Sequence, residues 1–201
     1  MSAINKYIDL AVLKPGTKWN DVETKAVFAH EHRLASICVP PVYVQAVKSI
    51  YSRVSTVIGF PCGYSSPNGK FYEAVQAITD GATELDIVVF PGCVEHELAP
   101  IVEYAHANNV LIKAIVETAL NREHLRSICL SCICSGVDFL KSSTGFFGNP
   151  TDRDIEILLE ATRGTTVRVK ASGGIQTYED AKHFIDMGCM RIGTSHREVL
   201  E

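Results

Sequence analysis

The sequence predicts an α/β fold, a compact closed (β/α)8 barrel of the TIM type formed by a single domain over 1–201, with a truncated C-terminal helix. Three observations carry this. Short β-branched runs alternate with amphipathic helical stretches from one end to the other, uninterrupted by a linker or low-complexity segment, which is the pattern of a parallel sheet covered by helices. Eight such units favour closure over an open doubly wound sheet, although 201 residues lies near the lower limit for a barrel. Glycines stand at several helix-to-strand joints, where a left-handed cap is expected.

Taken in order, the first strand is predicted at 7–10 and the first helix at 20–33, where Asn20-Asp21-Val22-Glu23 reads as an N-cap with an acid three residues on. The second strand, 35–39, leads into a helix at 41–52, and the third, 54–60, into one at 67–80. Strand four is placed at 84–90 before a helix at 97–108, and strand five at 110–117 before one at 121–135. Strand six, 137–143, precedes a helix at 151–163. Strand seven, 166–171, precedes one at 177–187, whose Thr177-Tyr178-Glu179-Asp180 start has the same capping form. The eighth strand is expected at 190–194 and a helical stub at 196–201. Gly81, Gly136 and Gly188 each follow a helix and precede a strand.

A composition of 46% hydrophobic and 21% charged residues suits one globular core, and a formal charge of −4 argues against a nucleic-acid or anionic-membrane surface. The start, Met1-Ser2-Ala3-Ile4-Asn5-Lys6, lacks an apolar signal core, and no apolar run approaches a membrane span, so a cytoplasmic protein is expected. Seven scattered cysteines, at 38, 62, 93, 129, 132, 134 and 189, do not form a disulfide framework. Cys129, Cys132 and Cys134 lack a second ligand pair and are read as small fillers on a buried helix face; no metal is expected.

The chemistry lies in the strands. In a barrel, polar residues at strand C-termini face the active end, and charged residues within strands must point inward to partners. Asp86, Lys113, Glu117, Lys141 and Lys170 all fall in strand candidates. Alternation puts Lys113 and Glu117 on one face of their strand, and Arg168 on the face of Lys170. A buried arginine at 168 calls for a carboxylate partner. Lys141 ends the apolar run Val137 to Leu140 before the small turn Ser142-Ser143-Thr144-Gly145, and Lys170 precedes Ala171-Ser172-Gly173-Gly174. Two strand-borne lysines suggest amine chemistry on a carbonyl, one as nucleophile and the other, with help from burial, keeping it unprotonated. His30, His32, His106, His124 and His183 read as surface residues.

The ordered motifs resemble the deoxyribose-phosphate aldolase family over nearly the whole chain. They are Ile8-Asp9-Leu10 through Leu13-Lys14-Pro15, Ser36 to Pro40, Thr56 to Pro61 with Gly63, Lys70 to Ala74, Glu84-Leu85-Asp86, Val116-Glu117-Thr118, Lys141 to Phe146, Lys170 to Ile175, and Arg191 to Ser195. The resemblance implies cleavage of 2-deoxy-D-ribose 5-phosphate to D-glyceraldehyde 3-phosphate and acetaldehyde, reversibly and without cofactor or metal. It makes Lys141 the Schiff-base lysine, Lys170 its neighbour and Asp86 the proton-relay carboxylate, with Asp9 and Lys113 as supporting interior partners. Phosphate is expected on backbone N–H groups of Gly173, Gly174, Gly193, Thr194 and Ser195, with Gly145 adding to them. A homodimer is implied by resemblance alone. The chain departs from the family at His196 and Arg197, where a second serine is usual, and at Arg168, where glycine is usual. Pro67 and Asn68 fall in a loop that often carries threonine. The Pro91–His96 segment looks short, and the sequence ends at Glu201 without the longer tail of some members. A Schiff-base barrel aldolase with another donor, a non-catalytic sugar-phosphate-binding barrel, and a metal-free barrel isomerase with the same phosphate loops remain the alternatives.

Overall fold

The computed structural model describes residues 4–200; Met1 to Ala3, part of the stretch read for a signal segment, and Glu201, the end of the expected stub, lie outside it. Eight parallel strands close in sequence order: β1 (Ile8–Ala11), β2 (Ser36–Val39), β3 (Val54–Ile58), β4 (Glu84–Val88), β5 (Leu111–Ile115), β6 (Phe139–Lys141), β7 (Arg168–Ser172) and β8 (Arg191–Thr194), with β8 pairing back onto β1. All eight expected strands are present; the first is displaced by one residue, the seventh starts two residues later and ends one later, and the others are trimmed by one to four residues where the chain leaves the ladder.

Alternation divides each strand between two environments. Ile8, Leu10, Ile37, Val39, Leu85, Ile87, Ile112, Leu140, Val169 and Ile192 are buried in one continuous apolar core with the surrounding helices. The other face points into the barrel, and here the usual Val, Ile and Leu filling gives way to charge. Asp9, Asp86, Lys113, Lys141 and Lys170 are buried there, and Ser36, Ser55 and Gly193 leave room for the long side chains.

The helices are α1 (Trp19–Glu31), α2 (Val44–Lys48), α3 (Pro67–Thr79), α4 (Val94–Ala107), α5 (Thr118–Asn121), α6 (Leu125–Cys134), α7 (Asp152–Thr162) and α8 (Tyr178–Met187). Helix α1 starts before Asn20: Asp21 accepts from the Lys18 backbone at 3.3 Å, so the acid caps the residue three before it. Thr177 and Asp180 cap α8 reciprocally as expected. Pro67 and Asn68 open α3 rather than sitting in a loop, with the Ser66 hydroxyl accepting from Gly69 N–H at 3.1 Å. The stretch 41–52 is a 3-10 turn followed by the short α2, and 121–135 is broken into α5, a 3-10 turn and α6. The Asn121 side chain causes that break by donating to the backbone carbonyls of Val116 and Glu117. Of the stub, Glu198–Leu200 forms a 3-10 turn. Cys129 and Cys132 fill the buried face of α6, whereas Cys134 is exposed. Among the described residues no helix is long and apolar enough to cross a membrane.

Candidate active site

Lys141 is the last residue of β6 and lies in register with Lys170 of β7. Both amines reach the same carboxylate oxygen: Lys141 Nζ and Lys170 Nζ each donate to Asp86 Oδ2 at 2.8 Å. The other oxygen, Oδ1, accepts from Lys113 Nζ at 2.7 Å and from the Ser55 hydroxyl at 3.0 Å. Beneath this layer, Lys170 lies 2.7 Å from Asp9 Oδ2, and Asp9 Oδ1 accepts from Ser36. The structure therefore brings Lys141, Lys170, Asp86, Asp9 and Lys113 into one connected cluster.

Their electrostatics diverge. Burial lowers the Lys141 amine below its ordinary value, against the attraction of Asp86, and the Lys170 ammonium lowers it further. The leading cause is thus burial, with the neighbouring cation second, the reverse of the emphasis drawn from sequence. Lys170 is equally buried, yet Asp86 and Asp9 together overcome that desolvation and raise it. Burial alone would raise Asp86, but Lys113, Lys141 and Lys170 outweigh it and hold the carboxyl well below the usual range. Two lysines on one oxygen are thereby split into a stable ammonium and an amine biased toward neutrality.

Above the cluster a cavity of about 380 Å³ opens at the carboxyl ends of the strands, lined by Lys141, Lys170 and all six residues expected at the phosphate. That volume suits a small metabolite. Among the described residues, the backbone N–H groups of Gly145, Gly173 and Gly174 have no acceptor within the protein. Gly174 has φ +71°, and a Cβ there would fall 2.3 Å from the Asn149 side chain. Gly193 and Thr194 belong to β8, and the Thr194 hydroxyl is already engaged by Ile175 O and His196 N–H. Gly193 serves sterically, since a Cβ there would lie 3.1 Å from Lys170 Cε.

Two sequence expectations are corrected. Arg168 does share the inward face, but it sits exposed at the amino-terminal end of β7 and stacks 4.2 Å from the Phe139 ring centre, so it needs no buried carboxylate. Glu117 leaves the face of Lys113 because its backbone turns left-handed (φ +45°), and its Oε2 accepts from Thr144 N–H at 2.9 Å. Sequence reasoning missed Glu84 and Arg191, which join the cluster from the first positions of β4 and β8; period-two spacing from Asp86 and Gly193 was the available signal. It also missed Cys38, Lys14, Asn149 and Gln176 on the cavity wall.

Comparison with known proteins gives the family and agrees with the fold. The fold and the matches below define a TIM-barrel aldolase, a lyase. The sequence matches the DeoC/LacD family aldolase over residues 4–194, and the chain belongs to that family. It is 37% identical to the deoxyribose-phosphate aldolase of Clostridium botulinum (strain Eklund 17B / Type B), covering 96% of this chain and 91% of that one. Against deoxyribose-phosphate aldolase 1 of Bacillus licheniformis the identity is 39%, over 96% and 92% of the two chains. Among solved structures, the aldolase QR15 superposes with a TM-score of 0.90 at 37% identity, covering 97% of this chain and 92% of the other.

Proposed function

We propose that the protein cleaves 2-deoxy-D-ribose 5-phosphate reversibly to D-glyceraldehyde 3-phosphate and acetaldehyde through a Schiff base on Lys141. The observation that carries this reading is the shared Asp86 oxygen: one carboxylate holds two buried lysines, one of them with a lowered pKa, at the floor of a cavity.

Neutral Lys141 adds to the sugar aldehyde at C1, and loss of water leaves an iminium that withdraws electrons from the neighbouring bond. The bond that breaks is C2–C3, because acetaldehyde takes C1 and C2. The C3 hydroxyl surrenders its proton as it becomes the aldehyde of glyceraldehyde 3-phosphate, and the electron pair is left on the enamine. Protonation of the enamine carbon and hydrolysis of the resulting iminium release acetaldehyde and restore the amine. Asp86 and Lys170, hydrogen-bonded to each other beside Lys141, are the groups through which these protons pass. Asp9 and Lys113 fix the orientation of that pair. Gly145, Gly173, Gly174 and Ser195 offer backbone N–H groups to the phosphate from the loops after β6, β7 and β8, while Gly193 and Thr194 shape the strand end beneath it.

Acetaldehyde with borohydride should attach an ethyl group to Lys141, located by peptide mapping, and Lys141→Leu should remove both the label and retro-aldol turnover. Trapping by pyruvate or dihydroxyacetone in place of acetaldehyde would assign a different donor, and an unlabelled Lys141 would end the proposal.

A further inference from the structure

The barrel interior holds more bases than acids. Its connected network contains three carboxylates, Asp9, Glu84 and Asp86, and four bases, Lys113, Lys141, Lys170 and Arg191. Each carboxylate is engaged by bases other than Lys141. Arg191 grips Glu84 through two nitrogens, at 2.9 and 3.1 Å, and donates to Asp9 at 2.6 Å. Lys113 lies 2.5 Å from Glu84 and 2.7 Å from Asp86, and Lys170 lies 2.7 Å from Asp9 and 2.8 Å from Asp86. Among the described residues Lys141 has a single ionic partner, and it shares that oxygen with Lys170.

With Lys141 neutral, three positive and three negative charges balance; with Lys141 charged, one cation is left without a counter-ion in a desolvated interior, the most expensive arrangement available. The other bases cannot easily take its place as the neutral member. Arg191 is a guanidinium and stays charged, and Lys113 and Lys170 each touch two or more carboxylates. Arg191 and Glu84 stand at the start of their strands, whereas Lys141 ends β6. The balance is therefore completed at the far end of the barrel from the cavity.

We propose that Arg191 is a positioning residue: clamped on Glu84 and Asp9, it supplies the third interior cation and so leaves Lys141 as the base without a carboxylate of its own, kept as the free amine. The proposal rests on the reading of Lys141 as the Schiff-base lysine. The groups facing Lys141 are Asp86 from β4, Lys170 from β7 and Cys38 from β2, with Asp9 and Lys113 one layer below. Burial, then Asp86, pushes the Cys38 thiol up, so it adds no charge to the count. Around Arg191 stand Asp9, Glu84 and Lys113, with the Phe139 ring 5.5 Å away. The directions agree with the count: Lys113, Lys170 and Arg191 are all raised by the carboxylates despite burial, and Lys141 alone among the four is lowered.

The test is the pH dependence of kcat/KM and of the rate of acetaldehyde trapping by cyanoborohydride, in the full-length enzyme. Arg191→Gln leaves three carboxylates facing three lysines, so Lys141 should keep its proton, and the rising limb of both profiles should move up by roughly one pH unit, a loss of about tenfold at pH 7 recovered at alkaline pH. Glu84→Gln removes a negative charge and should move the limb down. Arg191→Lys, and the Arg191→Gln/Glu84→Gln pair, should return it to its original position. A packing role would lower activity at every pH without moving the limb, and that result in Arg191→Gln overturns the proposal. If Arg191→Gln does not fold, an unmoved limb in Glu84→Gln has the same force. Absence of label on Lys141 in the unaltered enzyme would instead defeat the Schiff-base reading itself.

Discussion

A lysine whose pKa is lowered mainly by burial keeps that shift only while water is kept from it, and Lys141 lies at the cavity floor with its side chain 5% exposed. Asp86 is the compromise at the centre: it orients both amines through one oxygen, yet its attraction works against the lowered pKa of Lys141. The glycine loop after β7 is a second residue-level constraint. Gly174→Ala would force a Cβ into Asn149 and strain a left-handed backbone. In steady-state assays, KM for 2-deoxyribose 5-phosphate should rise roughly tenfold with little change in kcat, because ground-state and transition-state binding are lost together. Turnover of unphosphorylated 2-deoxyribose should be unaffected. An equal loss with both sugars would move the phosphate away from this loop.

At the scale of elements, the active end of the barrel depends on a buried pin outside the interior. Lys70 of α3 reaches Glu97 of α4 at 2.5 Å and donates to Val88 O at the end of β4, while Glu97 Oε1 accepts from Phe90 N–H. Both side chains are fully buried. One pair thus ties two helices to the loop leaving the strand that carries Asp86. Lys70→Met should cost about 3–5 kcal/mol in urea unfolding, since Glu97 would be left buried and uncompensated. Adding Glu97→Leu should return most of it, because the pair itself carries the desolvation penalty of two ions. Equal midpoints for the single and double variants would show that the charge was not the problem. The helix boundaries missed in the sequence, at α2 and between α5 and α6, lie where side chains such as Asn121 compete for backbone carbonyls, a contact that periodicity does not register.

For the molecule as a whole, the interior charges couple folding to acidity. Asp9 and Asp86 both have folded pKa values below those of the unfolded chain: burial pulls each up, but Lys170, Lys113 and Arg191 around Asp9, and the three lysines around Asp86, pull harder. The unfolded chain, with aspartates near about 3.9, therefore binds protons first as the pH falls. These groups stabilise the fold fully above that value, and their contribution is lost progressively below it. Urea midpoints should hold steady as the pH falls from about 6 to 5 so far as these aspartates are concerned, then drop steeply below about pH 4. A midpoint unchanged between about pH 5 and pH 3 would contradict this account.

The sequence by itself determined the eight alternating units, the parallel order and the inward placement of Asp86, Lys113, Lys141 and Lys170, because a period of two is a local property that barrel closure merely inherits, whereas Asp9 was legible only through the family resemblance. Tertiary structure alone decided which amine has its pKa lowered, which has it raised, and which partners share a carboxylate. It also decided that Arg168 ends in solvent against Phe139, while Arg191 closes onto Glu84 from a strand 107 positions away in sequence. Those outcomes depend on depth along the barrel axis and on distances between strands remote in the chain. Both are set by strand stagger, which no short stretch of sequence encodes.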